Sequence, residues 1–229
     1  MLNKININAS LIAQTMSDDG QFLEKAYTRA FSDNNTEWKV YNYHINPKSR
    51  GQSSWEFEDK LRKSLGFDKV EHNLSIKIDN FTINYLPDAM DSDLNYVEIK
   101  NFSREQTLDE KLYYSILKNL GVLYVVNSKL NRVDINELSL SEKLFEEIWG
   151  KFVVKFNKLY DYAQSKIFKA IKLAEKNPLH FKDFEGAIDF IKKDFRNTTY
   201  RPFKLNEDIY GYYGNYKDTP YLKIIERKN

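Results

Sequence analysis

The spacing of hydrophobic and polar positions changes repeatedly along the first hundred residues. Apolar residues at intervals of four, following Ser17 as a cap, predict a first helix. The polar segment from Asn34 to Ser54 predicts a long loop, because it contains proline, glycine and several serines. A second helix is expected from Trp55 to Leu65, with Gly66 as its stop.

Alternation with a period of two then predicts three short strands, at Asn73–Ile78, Phe81–Leu86 and Tyr96–Lys100. These strands would form a meander. A helix from Leu108 to Leu120 is expected next, and the continuous apolar run Val122–Val126 is typical of a strand buried on both faces. This order of elements predicts an α/β or α+β core with a mixed sheet flanked by helices.

The remainder of the chain is expected to be mainly helical. A long helix would run from a cap at Ser141 to about Lys176, and a shorter one from Asp183 to Phe195. The tyrosine-rich tail would end in a strand at Tyr221–Ile225. A length of 229 residues and the absence of a Pro/Gly/Ser linker predict a single domain, 1–229.

Composition limits the chemistry available to the protein. The chain has no cysteine and only three histidines, at scattered positions, so thiolate catalysis and cysteine-ligated zinc or iron–sulfur sites are excluded. Catalysis would have to depend on carboxylates, lysines and hard metal ions. No apolar run is long enough to cross a bilayer, and the first residues lack the apolar core of a signal peptide, so we expect no membrane association and a cytoplasmic location.

The charge is unevenly distributed, although the net charge is only +2. From Lys151 to Asn229 there are 17 Lys and Arg against 10 Asp and Glu, whereas residues 1–150 have 18 against 23. A basic final third suits a protein that grips a polyanion. The alternative is that lysine-rich helix faces only keep the protein soluble.

The clearest candidate for chemistry is Pro87-Asp88, followed after nine residues by Glu98-Ile99-Lys100. Asp88 would lie just past one strand, and Glu98 and Lys100 on one face of the next strand. If these strands pair as a hairpin, two carboxylates and an ammonium group converge. Two carboxylates suit Mg²⁺, which makes a bound water more acidic, while Lys100 would offset charge on a phosphate.

With these residues the sequence resembles the PD-(D/E)XK nuclease superfamily, and within it the type II restriction endonucleases. The resemblance covers about 53–127, the nuclease core, and leaves 128–229 as a helical and Tyr-rich elaboration for DNA contact or dimerisation. It implies a restriction-endonuclease-like fold, with Asp88 and Glu98 as metal ligands, Lys100 as the catalytic lysine and the Ile99 carbonyl in the metal shell. It also implies Mg²⁺ as cofactor, double-stranded DNA as partner and a homodimer.

Other acidic residues compete for these roles. Glu58 lies at the margin of the apolar stripe on the predicted helix Trp55–Leu65, where it would be an accessory metal ligand or a salt-bridged boundary residue. Asp91 or Asp93 would replace Asp88 as ligand if the strand boundary were shifted. A charged hairpin without chemistry is the simplest alternative to all of them.

Candidate nucleic-acid contacts are more dispersed. Lysines on the long helix would follow a phosphate backbone, and the aromatic and cationic tail would enter a groove or stack on bases, unless it forms a packed β-hairpin. The candidates are Arg104, Gln106, Lys166, Lys169, Arg201, Tyr212 and Lys217.

The sequence therefore favours a Mg²⁺-dependent type II restriction endonuclease that hydrolyses DNA phosphodiesters with a metal-activated water. Two alternatives stay open. One is a structure-specific nuclease, of the junction resolvase or repair type, on the same fold. The other is a DNA-binding module without catalytic activity.

Overall fold

The structure is a computed structural model that describes residues 4–17, 20–44, 50–100, 104–176, 179–194, 201–216 and 219–228. Its helices within these ranges are α1 (Ala9–Met16), α2 (Gly20–Asn34), α3 (Arg50–Ser64), α4 (Leu108–Asn119), α5 (Ile135–Leu138), α6 (Glu142–Lys176) and α7 (Phe184–Asp194). Its strands are β1 (Ile5–Asn8), β2 (Trp38–His44), β3 (Leu74–Ile78), β4 (Phe81–Tyr85), β5 (Ala89–Met90), β6 (Tyr96–Lys100), β7 (Val122–Asn127), β8 (Arg132–Asp134), β9 (Leu179–His180), β10 (Arg201–Lys204), β11 (Ile209–Tyr216) and β12 (Thr219–Arg227).

The chain divides into two compact units that are each built from discontinuous segments. Unit 1 comprises Met1–Asp19 and Ser49–Phe156, and unit 2 comprises Gly20–Lys48 and Asn157–Asn229. The segment 53–127 lies within unit 1, whereas 128–229 is divided between the two units. The chain is thus a mixed α+β protein in which neither unit is continuous in sequence.

Unit 1 contains a three-stranded sheet in the order β1-β4-β3. Strands β3 and β4 form the predicted hairpin, and Asp79 in its turn adopts a positive φ of 52°. The alternation that predicted β4 places Phe81, Ile83 and Tyr85 on its buried face. Strand β1, which was not predicted, pairs with β4 in parallel.

A second sheet of unit 1, in the order β5-β6-β7-β8, contains the motif strand β6. Strand β6 pairs antiparallel with the two-residue strand β5 and parallel with β7, so the sheet is mixed as expected. The predicted meander is wrong, because β4 and β6 belong to different sheets. The short strand β5 takes the place beside β6 that the meander gave to β4.

Helix α4 connects β6 to β7 and has well-defined ends. Thr107 and Glu110 form a capping box at its start, and Gly121 follows its end with a φ of 90°. The predicted helix, Leu108 to Leu120, is one residue longer at its end than the observed one. The helix forms the crossover between the parallel strands β6 and β7, and it brings the Tyr113 hydroxyl to Glu98 of the motif strand.

Unit 2 contains a five-stranded sheet in the order β2-β12-β11-β10-β9. Side chains from α2 and α6 pack with one set of its residues, including Tyr210 and Tyr212. Side chains from α7 pack with another set, including Phe203 and Tyr213. The tyrosine-rich tail is therefore a packed antiparallel sheet, which is the hairpin alternative extended by one strand.

The loop predicted from Asn34 to Ser54 is wrong for its described part. Trp38–His44 forms β2 and pairs antiparallel with β12 across the last residues of the chain. Trp38 and Val40 are buried, in the alternating pattern of a strand. Its partner residues lie 177 to 189 positions further along the chain, so this short alternation is the only local signal of the strand.

No helix in the described segments is long and apolar enough to cross a membrane.

Candidate functional site

Asp88 lies in the short connection between β4 and β5, directly after the buried Pro87. Its Oδ2 atom accepts a hydrogen bond of 2.8 Å from the backbone N–H of Ile99. This bond places the Asp88 carboxylate beside β6, at Ile99, the residue between Glu98 and Lys100. Within the described residues, Asp88 has no other hydrogen-bond partner, so its Oδ1 atom retains its acceptor capacity.

Glu98 is completely buried in the middle of β6, which is unusual for a carboxylate. Its Oε1 atom accepts a hydrogen bond of 2.7 Å from the hydroxyl of Tyr113 on α4, and its Oε2 atom accepts a short hydrogen bond from the hydroxyl of Tyr85 on β4. Lys100 provides the third donor, with its Nζ 2.6 Å from Oε1. The buried charge is therefore hydrogen-bonded on both oxygens.

Lys100 extends from the same face of β6 as Glu98, two residues further along. Its Nζ also lies 5.9 Å from the centre of the Tyr113 ring. The Lys100 side chain is 39% exposed, whereas that of Glu98 is 1% exposed. Lys100 is thus the member of the pair that a substrate can reach.

The electrostatics of these groups follow from burial and mutual charge. Burial raises the pKa of Asp88 well above its usual value, and the nearby charge of Glu98 raises it further. Burial also disfavours ionised Glu98, but Lys100 and the two tyrosine hydroxyls outweigh that effect and lower the pKa of Glu98. Burial opposes the charge on Lys100, but Glu98 and Asp88 outweigh it and raise its pKa, so Lys100 remains protonated.

Glu58 lies on α3, a helix whose apolar side chains pack against residues of β6. Its neighbours Phe57 and Leu61 contact the apolar cluster that contains Ile99. The negative charge of Glu58 contributes to the raised pKa values of Asp88 and Lys100. The helix margin predicted from the sequence thus brings a third carboxylate into the electrostatic environment of the motif.

The oxygen ligands available at the motif suit Mg²⁺ in kind. Among the described residues, no group of three or more His, Cys, Asp or Glu side chains is arranged to hold a metal ion. Mg²⁺ is usually held by only one or two carboxylates and keeps several waters, so Asp88 and Glu98 are sufficient in kind. The carboxyl groups of Asp88, Glu98 and Glu58 surround a single ammonium group, that of Lys100, and a divalent cation bound there would favour the ionised form of Asp88, which burial and Glu98 disfavour.

Asp91 has a structural role that distinguishes it from Asp88. Its two oxygens accept hydrogen bonds from the backbone N–H groups of Asp93 and Asn95, from the Asn95 amide and from the Tyr124 hydroxyl. These bonds close the connection between β5 and β6. Asp88 contacts β6 directly, so a shifted strand boundary is not needed to bring a carboxylate to the motif.

Two predicted nucleic-acid contacts lie immediately before α4 and are engaged locally. The guanidinium of Arg104 forms a two-pronged pair with Glu110, at 2.7 and 3.0 Å. The amide of Gln106 donates to the backbone carbonyl of Arg104. Both side chains therefore stabilise the start of the helix in this structure.

The predicted contacts in unit 2 differ in accessibility. Tyr212 is fully buried in the sheet core, with Lys223 Nζ 5.5 Å from its ring centre, so a role for Tyr212 in base stacking is wrong. Lys169 and Arg201 are exposed, and Lys166 is half-buried with its Nζ over the Tyr162 ring. Lys217 lies outside the described residues.

Sequence reasoning missed Tyr85 and Tyr113 as parts of the site. Both occupy otherwise apolar positions, one on the buried face of β4 and one among the buried residues of α4. A buried tyrosine hydroxyl usually finds a hydrogen-bond partner. That tendency is a usable signal, but it does not identify the partner without the tertiary structure.

Comparisons with known proteins gave no further assignment: no family model matches the chain, and neither curated proteins nor solved structures show a significant match.

Proposed function

We propose that this protein is a Mg²⁺-dependent endonuclease of the type II restriction class, acting on double-stranded DNA. The single observation that carries the proposal is the contact of Asp88 with the backbone of Ile99, next to the Glu98–Lys100 ion pair. The three side chains of the motif, separated in sequence, thereby meet at one strand. None of the triplets of similar composition elsewhere in the chain has an upstream Pro-Asp on a paired strand.

In this proposal Asp88 and Glu98 hold the metal, with the carbonyl of Ile99 as a further oxygen ligand and Glu58 as an accessory. Bound Mg²⁺ would make a coordinated water more acidic and offset negative charge on the scissile phosphate. The available Oδ1 of Asp88, and the presence of three carboxyl groups around the single ammonium group of Lys100, support this assignment.

Lys100 acts on the substrate by electrostatics. Its raised pKa keeps the ammonium group charged at neutral pH, so it is a poor general base and a suitable partner for a phosphate oxygen. Glu98 holds the ammonium group in place, and the partial exposure of the Lys100 side chain makes that group accessible to a bound phosphodiester.

The arrangement of β6, α4 and β7 supports a restriction-endonuclease-like core, which we propose as the finer description of unit 1. The basic segment from Lys151 onward supports a polyanionic substrate, with Lys166, Lys169 and Arg201 as candidate phosphate contacts. A homodimer would supply one active site to each strand of a palindromic target.

The test is incubation of the purified protein with a phage genome in the presence of Mg²⁺ or EDTA. Discrete fragments that form only with Mg²⁺ are the expected result. A smear, or cleavage confined to branched DNA, would instead favour a structure-specific nuclease, and intact DNA with Mg²⁺ would refute the proposal.

Variants locate the activity within the chain. Asp88→Ala and Lys100→Ala are expected to abolish cleavage while retaining binding to DNA in Ca²⁺. Lys60→Ala is the matched control, because Lys60 is exposed and ends a triplet of the same type, Glu58-Asp59-Lys60, that lies on a helix. Full activity in either motif variant would contradict the assignment of the site.

A further inference from the structure

The Glu98 carboxylate is held by two tyrosines that no part of the sequence motif contains. Tyr85 and Tyr113 are both 7% exposed, and each directs its hydroxyl to a different oxygen of Glu98. Burial, followed by the charge of Glu98, raises the pKa of both phenols well above their usual value, so both are protonated donors. The two hydroxyls come from separate elements, β4 and α4, which fixes the carboxylate from two directions.

We infer that Tyr85 and Tyr113 are positioning residues, which orient the Glu98 carboxylate so that one of its oxygens remains available to a divalent cation. This inference rests on the proposed metal-dependent function and concerns the same site. It assigns to the tyrosines a task distinct from packing, because each hydroxyl decides which acceptor position of Glu98 is occupied.

The acceptor positions of the two Glu98 oxygens are unequally occupied. A carboxylate oxygen has two lone-pair directions. Lys100 and Tyr113 occupy both directions on Oε1, whereas Tyr85 alone occupies one direction on Oε2. Glu98 has no further partner in the described part of the chain, so the remaining position is on Oε2.

Removal of either hydroxyl would loosen this arrangement in a specific way. Without the Tyr113 hydroxyl, only Lys100 holds Oε1, and the carboxylate can rotate toward the ammonium group. Without the Tyr85 hydroxyl, no hydrogen bond from the described residues holds Oε2. Hydrogen bonds to a metal-ligating group typically change metal affinity by about 10- to 100-fold when they are removed.

The experiment measures Mn²⁺ binding by isothermal titration calorimetry, at a temperature where every variant is folded by circular dichroism. Mn²⁺ is the probe because it accepts the same carboxylate, carbonyl and water ligands as Mg²⁺. Tyr85→Phe and Tyr113→Phe are each expected to weaken Mn²⁺ binding at least about tenfold. The half-saturating Mg²⁺ concentration for DNA cleavage is expected to rise by a similar factor.

Tyr114→Phe is the matched control. Tyr114 is the next residue on α4, is equally buried and contacts the Tyr113 ring, but its hydroxyl has no hydrogen-bond partner among the described residues. The Mn²⁺ affinity of the Tyr114→Phe variant is expected to stay within about twofold of wild type. Because each tyrosine is tested alone, one unstable variant does not remove the test.

The outcomes separate this inference from the proposed function. Mn²⁺ affinity unchanged in both variants, with only a lower unfolding temperature, would overturn the positioning role even if the wild type cleaves DNA. Weakened Mn²⁺ binding in both variants, lost altogether in Asp88→Asn, would support the role even if the wild type leaves DNA intact. A wild-type protein that binds no Mn²⁺ would overturn it outright.

Discussion

Replacement of Glu98 by glutamine tests whether the buried carboxylate is stabilised by its partners or merely tolerated. Gln has nearly the same shape but no charge, so the substitution removes the electrostatic part of the interactions with Tyr85, Tyr113 and Lys100. The amide oxygen can still accept from Lys100 and Tyr113, and the Tyr85 hydroxyl can reorient to accept from the amide. The effect measured is therefore that of the charge.

The expected change in the free energy of unfolding follows from the three hydrogen-bond donors to Glu98. A hydrogen bond to a charged group contributes about 1.5–3 kcal/mol and a neutral one about 1 kcal/mol, so each tyrosine bond loses about 1 kcal/mol. The Lys100 contribution is discounted, because its side chain is 39% exposed and solvent can replace the carboxylate. Glu98→Gln is expected to lower the free energy of unfolding of the metal-free protein by about 2 kcal/mol, which is below the 3–5 kcal/mol for breaking a fully buried pair.

The assay is urea-induced unfolding at neutral pH with EDTA, followed by circular dichroism. Glu147→Gln is the matched control, because Glu147 also contacts a lysine, Lys151, at 2.7 Å but with both side chains 59% exposed. The control is expected to leave the unfolding midpoint unchanged. The comparison isolates burial, since the substitution and the ion-pair distance are nearly the same.

A Glu98→Gln variant that is as stable as wild type, or more stable, would refute the reasoning. It would mean that the free-energy cost of desolvating the carboxylate exceeds the stabilisation by its three hydrogen-bond partners. A large effect in Glu147→Gln would equally contradict the role assigned to burial.

Three further predictions concern stability. Burial opposes ionisation of Asp91, but the hydrogen bonds to its carboxylate outweigh burial and lower the pKa of Asp91. The stability that ionised Asp91 contributes is therefore present above about pH 4 and is lost as the pH falls through the pKa of Asp91 in the folded state. Asp91→Asn is therefore expected to be less stable at pH 7 and to lose less stability between pH 5 and 3 in acid unfolding. Gly211→Ala is expected to lower the thermal unfolding midpoint, because a Cβ there would lie 2.3 Å from Cζ of Phe203, a clash of a kind that costs about 1–3 kcal/mol. Gly150 lies in the interior of α6, and a Cβ added there would meet no atom within 4 Å. Because alanine has the higher helix propensity, Gly150→Ala is expected to raise the free energy of unfolding by about 0.5–1 kcal/mol.

Each of these has an opposing outcome. Parallel pH profiles of wild type and Asp91→Asn would contradict the lowered pKa of Asp91. A stable Gly211→Ala protein would show that the Phe203 ring can move aside, and a destabilised Gly150→Ala protein would show that propensity does not govern that position.

Local sequence signals predicted the elements around the site well. The turn at Asp79 and the helix stop at Gly121 are short-range devices, so the elements they bound were recognised from neighbouring residues alone. The period of two in β6 also placed Glu98 and Lys100 on one face, as the structure has them.

The pairing of those elements was harder to predict from the sequence. The two-residue strand β5 is too short to show a period, so the hairpin beside β6 was attributed to β4. Strand β2 pairs with β12 near the end of the chain, and the tyrosine-rich tail is buried in that sheet. Such pairings depend on surfaces that are distant in sequence, and no local pattern encodes them.

The sequence by itself determined the candidate chemistry, since the carboxylates and lysine of the motif are set by residue type and spacing. Only the tertiary structure decided how that chemistry is supported. It placed Asp88 against the backbone of Ile99 and brought the hydroxyls of Tyr85 and Tyr113 to a buried carboxylate 13 and 15 residues away. The physical reason is that a buried charge must find its donors in three dimensions, from whichever elements the packing brings within reach.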